Sequence, residues 1–135
     1  MKKLFFAMLA LCVAAVSFTS CEKQADPATQ PIAGKTYQYT EVSGDYFKVR
    51  FNNNFTCYQE VKADGDVIGN NNFVWAMNDG KNFTIRYAQG VINLVTGEDV
   101  SGKLVYNGVF DATAKTVTLT NVDNPHIVYV CAEVK

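Results

Sequence analysis

Tyr46-Phe47-Lys48-Val49-Arg50-Phe51, then Asn52-Asn53-Asn54, then Phe55-Thr56-Cys57-Tyr58-Gln59-Glu60, is the stretch that decides the fold. Phe47, Val49 and Phe51 fall on one side of an extended chain, and Tyr46, Lys48 and Arg50 fall on the other. That strict alternation is the period of a half-buried β-strand. Asparagine is the non-glycine residue that best tolerates left-handed backbone, so the three asparagines read as a turn. A three-residue loop sets Phe51 opposite Phe55, Val49 opposite Cys57 and Phe47 opposite Gln59, with Lys48 diagonal to Glu60 on the other face. Inward residues then face inward residues, as a register with one buried face requires.

The same pattern repeats outward from this hairpin. Upstream, Lys35 to Val42 carries Tyr37 and Tyr39 on one face and ends at the turn Ser43-Gly44-Asp45. Downstream, Ala63-Asp64-Gly65-Asp66 is a turn, and Val67 to Asn72, with Gly69 and three asparagines, reads as a bulge or rim loop. Phe73, Trp75 and Met77 then alternate, Asp79-Gly80-Lys81 turns the chain, and Phe83, Ile85 and Tyr87 return, pairing Met77 with Phe83 and Trp75 with Ile85. A short run, Val91 to Val95, and a polar loop to Gly102 lead to a last hairpin in which Phe110 faces Val117 and Gly108 faces Leu119. Ile127 to Val134 is apolar on both faces, which predicts a strand covered on both sides. About eight short strands at roughly ten-residue spacing predict an all-β antiparallel meander, closed as a barrel, with a β-sandwich as the alternative. Closure removes the edge-strand hazard.

The N-terminus has a different grammar. Lys2-Lys3 precedes an apolar run, Leu4 to Phe18, and then Thr19-Ser20-Cys21. As a helix those roughly fifteen apolar residues span roughly 22 Å, short of the ~30 Å bilayer core, so the stretch reads as an export signal (residues 1–20) and not as a permanent span. Residues 21–33, with Pro27 and Pro31 among polar residues and no apolar period, read as a tether. The folded domain is then residues 34–135. Removing residues 1–20 takes away two lysines and no acids, leaving ten basic against thirteen acidic residues, a net charge of about −3 with no basic block. That excludes nucleic acid as a partner and a basic membrane patch.

Phe18-Thr19-Ser20-Cys21 resembles a bacterial lipobox, which implies acylation of Cys21 and a stable membrane anchor through two or three acyl chains. With Gly34-Lys35-Thr36-Tyr37 opening the domain, Val49-Arg50-Phe51 running through the Asn turn, and Gly108-Val109-Phe110-Asp111 leading to Val117-Thr118-Leu119, most of the mature chain resembles the calycin-like or lipocalin-like small lipoproteins of Bacteroidota. The resemblance implies an outer-membrane lipoprotein, on the periplasmic face or the cell surface. The lipocalin Gly-x-Trp is not matched by Gly34-x-x-Tyr37, and the one Trp, Trp75, lies mid-chain.

Chemistry is sparse. His126 follows Pro125 in a loop, and Ser43 and Ser101 precede glycines outside any nucleophile elbow. Asp64-Gly65-Asp66 and Glu98-Asp99 lack the spacing of a calcium loop. No catalytic residue, metal site or cofactor is expected. Cys57 and Cys131 remain in an oxidising compartment that permits a disulfide; two buried free thiols are the other reading. Two functional readings stay open. The preferred one places a small apolar ligand inside the barrel, in a cavity lined by Phe47, Phe51, Phe55, Trp75, Phe83, Tyr87, Tyr106 and Phe110, although side chains can just fill a barrel of this size. The alternative is an interaction module that meets an envelope protein or glycan through outer-face residues such as Tyr46, Tyr58 and Arg86.

Overall fold

The structure, a computed structural model, describes residue 26 and residues 29–135. The stretch read as an export signal, Cys21 and most of the stretch read as a tether lie outside the described residues. Eight strands follow one another: β1 (Lys35–Thr40), β2 (Tyr46–Phe51), β3 (Thr56–Ala63), β4 (Asp66–Met77), β5 (Asn82–Tyr87), β6 (Leu104–Asp111), β7 (Thr116–Asn121) and β8 (Val128–Val134). Each pairs antiparallel with the next, and β8 pairs back with β1 through Thr36–Val134, Tyr37–Glu133 and Gln38–Ala132, which closes the barrel. The meander expected from the sequence is the fold, and it is consistent with a calycin-like barrel; the sandwich alternative is excluded by closure. Apolar side chains point in and charged ones point out, the reverse of a barrel that spans a membrane.

Two hairpins have the registers read from sequence: Met77–Phe83 with Trp75–Ile85, and Phe110–Val117 with Gly108–Leu119. The β2–β3 hairpin is corrected by two residues. Phe51 faces Cys57, Val49 faces Gln59 and Phe47 faces Val61, and Lys48 lies directly opposite Glu60. A shift of two preserves every facing because the side-chain period is two. Phe55 alone changes sides, since it falls in the enlarged turn. The irregularity expected near Asn72 is a bulge: Cys57 faces Phe73 while Gln59 faces Asn70, so Tyr58 stands against both Asn71 and Asn72. The run Val91 to Val95 forms no strand and keeps a single bridge, Ile92–Asp99.

The last strand closes the barrel but is not covered on both sides. Cys131 is buried, whereas Val128, Val130 and Ala132 face outward and are exposed, because no second layer packs on an up-and-down barrel. The folded unit also starts before Gly34: Ile32, placed in the tether by sequence, is fully buried in the core.

The meander gives the barrel two unlike ends. The near end, where the chain enters at Ile32, holds the turns 52–55, 78–81 and 112–115. The far end holds the connections 41–45, 64–65, 88–103 and 122–127.

Candidate functional site

The interior aromatics meet one another. The Phe51 ring lies edge-on to Tyr37, Trp75 and Phe83, with centroids 5.9, 5.6 and 5.3 Å apart. Phe47 stacks on Tyr129 at 4.4 Å and meets the edge of Tyr106 at 6.1 Å. Tyr87, half-buried, stacks on Phe73, and Phe110, half-buried, packs against the same core. The Phe83 ring presses on the Gly108 backbone so closely that a Cβ there would collide with it, which is why Gly108 stands in a strand. Seven of the eight residues expected to line the interior therefore do so, and they act as packed core. Among the described residues, two buried polar atoms, Tyr37 Oη and Gln59 Nε2, lack a hydrogen-bond partner. Burial pushes the Tyr37 phenol up to about 12, with the Glu133 charge adding to the effect.

Nucleophiles are poorly placed. Cys57 and Cys131 are free, buried thiols on β3 and β8, strands that do not pair with each other. Burial pushes the Cys131 thiol up to about 12 and the Cys57 thiol further, which suppresses the thiolate. Ser43 Oγ accepts from Asp45 N, and Ser101 Oγ accepts from Gly90 N and Val91 N, so both act as turn-fixing groups. Among the described residues, no three His, Cys, Asp or Glu side chains gather where they could hold a metal ion.

The outer wall holds more arrangement than the sequence showed. On β2 and β3, Tyr46 Oη and Tyr58 Oη both donate to the Glu60 carboxylate, at 2.5 and 2.8 Å, and Lys48 Nζ lies 3.3 Å from it. These hydroxyls hold the Glu60 carboxyl below its ordinary range, Tyr46 more than Tyr58. Tyr58 reaches this position across Gly69 of β4, where any Cβ would strike its hydroxyl. Tyr46 and Tyr58 are thus brought together, while Arg86 sits apart on β5 and donates through Nη1 to Gly102 O at 3.2 Å.

Phe55 is the residue whose position was mistaken, and it marks the candidate site. The residue is 40% exposed, and its backbone has φ +75°, a conformation that costs a non-glycine residue about 1–2 kcal/mol. Three asparagines precede it, yet none takes the left-handed position. Two of their side chains are engaged at Thr56: Asn52 Nδ2 donates to Thr56 Oγ1 at 2.9 Å, and Asn54 Oδ1 accepts from the same hydroxyl at 2.6 Å. Trp75 locks the turn from β4, donating through N to Phe55 O at 2.8 Å and through Nε1 to Asn52 O at 3.1 Å. The strained turn puts the Phe55 ring at the wall of an open groove of about 370 Å³, lined by Val74, Ala76, Thr84 and Arg86. Ala76 and Thr84 also line an adjoining groove of about 430 Å³, bordered by Asn78, Asp79, Asn82 and Asn107. The pair forms a track over the outside of β4, β5 and β6 that is aromatic at one end and amide-rich at the other.

No protein-family model, curated protein or solved structure matches the chain.

Proposed function

We propose that the chain is a membrane-anchored bacterial lipoprotein whose barrel is a non-enzymatic interaction module, binding an envelope glycan or protein through its outer wall. Acylation of Cys21 after removal of residues 1–20 supplies the anchor, and the near end of the barrel faces the membrane.

The observation that carries this reading is Phe55. Strain held by a bulky aromatic in a turn, with its ring offered to a groove, belongs where contact with a partner repays it. The interior ring contacts weigh in the same direction, since Phe51 meets Tyr37, Trp75 and Phe83, and Phe47 meets Tyr129 and Tyr106. Of the two partner classes, the track favours a glycan: Phe55 offers a ring for stacking on a sugar face, and Asn78, Asn82 and Asn107 offer amides for hydroxyls.

Binding of the full chain to isolated envelope glycan tests this. Phe55→Ala is expected to weaken binding at least tenfold, while Gln38→Ala on β1, across the barrel from β5, leaves it unchanged. Equal binding by all three proteins would remove the groove from the account. For the anchor, Cys21→Ala is expected to abolish incorporation of labelled fatty acid.

A further inference from the structure

The far end is built differently from the groove and carries a second surface. Strand β4 outruns its neighbour: β5 pairs with it only from Phe73 to Met77, and the last link is Ala88 N to Asn72 O. From Asp66 to Asn70, β4 pairs with β3 alone. Among the described residues, no strand or loop backbone bonds to its other side between Val67 and Asn71, so that edge presents its N–H and C=O groups unpaired. The usual blunting devices are thin here, with no Pro and no Lys on this stretch. Two of its five side chains are apolar and stand on opposite faces of the strand at the barrel rim: Val67 and Ile68 are 55% and 69% exposed.

The rest of this end repeats the chemistry. The connection from β5 to β6 is fixed by its own hydrogen bonds, with Asn93 O accepting from Gly97 N, Asn93 Oδ1 from Val95 N, and Ser101 Oγ from two amides. That ordered loop presents Leu94 and Val95 to solvent at 96% and 94% exposure. Acidic residues outnumber basic ones beside both features: Asp64 and Asp66 at the tip of the β3–β4 hairpin, where Lys62 stands opposite Val67, and Asp99 on the loop, where Glu98 is paired with Lys103 at 3.3 Å.

We propose that the far end docks an extended segment of a partner protein, rich in apolar and basic residues, as an added strand on the open β4 edge from Val67 to Asn71. An unpaired strand edge selects a polypeptide, because only another backbone supplies donors and acceptors at the ladder spacing. The exposed aliphatics select apolar side chains. The acidic flanks select lysine and arginine, repel an anionic lipid surface, and oppose a second copy of the same end. This surface is independent of the Phe55 groove.

The test is a photo-crosslinking residue at position 68 of the full chain, in the cells that make it. The expected result is a discrete protein adduct in which the crosslinked partner peptide contains apolar residues with neighbouring Lys or Arg. Its yield falls at least fivefold in an Asp64→Asn/Asp66→Asn chain, since asparagine keeps the turn at position 64, where φ is +54°. A second measurement reads the strand itself: an eight-residue Val-Lys alternating peptide slows amide exchange at Val67–Asn71 at least fivefold, and the same peptide N-methylated at alternate residues does not. Adducts to lipid, adducts to a second copy, no adduct, or exchange slowed equally by the methylated peptide would each overturn the proposal.

Discussion

The two ends of the barrel obey opposite rules. At the near end every turn is tied down. Asp79 accepts from Lys81 N and Asn82 N at 2.9 and 2.6 Å, Asp111 Oδ1 accepts from Thr113 N and Ala114 N, Trp75 closes the Asn turn, and Ile32 plugs the core. At the far end a strand edge stands open, and aliphatic side chains face water on loops that are themselves well ordered. On the proposed reading, stability and contact are kept apart. The near end, where the chain enters at Ile32, holds the fold together, and the far end and the outer wall carry the exposed groups proposed for partners.

The sharpest way to break that contrast is to show that the near end is dispensable. Trp75→Ala removes a buried indole and its bond to Asn52 O, and it is expected to lose about 3–5 kcal/mol in urea unfolding. Gly108→Val forces side-chain atoms into the Phe83 ring and is expected to lose about 1–3 kcal/mol, or more if the ring cannot yield. Phe55→Gly relieves the left-handed strain while giving up a partly buried ring. Unfolding stability is expected to hold or rise by up to about 1 kcal/mol even as glycan binding falls. A loss of stability there would make Phe55 a packing residue. Leu94→Ser with Val95→Ser at the far end is expected to change stability by less than about 0.5 kcal/mol, because neither side chain is buried.

A pH titration sharpens the same comparison on a smaller scale. The Asp79 carboxyl is held down at about 2, against an ordinary value of 3.8, first by the Asn82 side chain and then by the backbone of Lys81 and Asn82. A carboxyl with a depressed folded pKa adds stability above its unfolded value and loses it as pH falls through the folded one. The wild-type chain is therefore expected to lose this part of its stability between pH 3.8 and about 2. In Asp79→Ala that segment of the acid profile is expected to flatten. An identical profile in both proteins would show that the near-end turn is held by something else.

How far the sequence could be read follows from which rule each region obeys. Alternation alone placed Phe47, Val49, Phe51, Trp75, Phe83 and Ile85 inside, and period two protects such a reading even from the two-residue slip in the β2–β3 hairpin. The slip itself was not legible. Local propensity assigns the left-handed turn residue to asparagine, but Thr56 engages the Asn52 and Asn54 side chains, Trp75 fixes the backbone, and the strained position falls on Phe55. The outward face of β8 misled for a related reason. Val128 and Val130 resemble core residues in composition, and nothing local reveals that an up-and-down barrel leaves them in water. The open edge of β4 depends on where β5 stops, a property of two strands that neither one's sequence contains.

The central claim is that the interior is occupied by the protein itself, so that partners are met outside. Native mass spectrometry of the chain purified without detergent tests it most directly. The expected spectrum shows the polypeptide with its covalent acyl groups and no non-covalent small molecule. A bound guest that survives transfer, and is expelled when Phe51 is replaced by Trp to crowd the centre of the barrel, would contradict it.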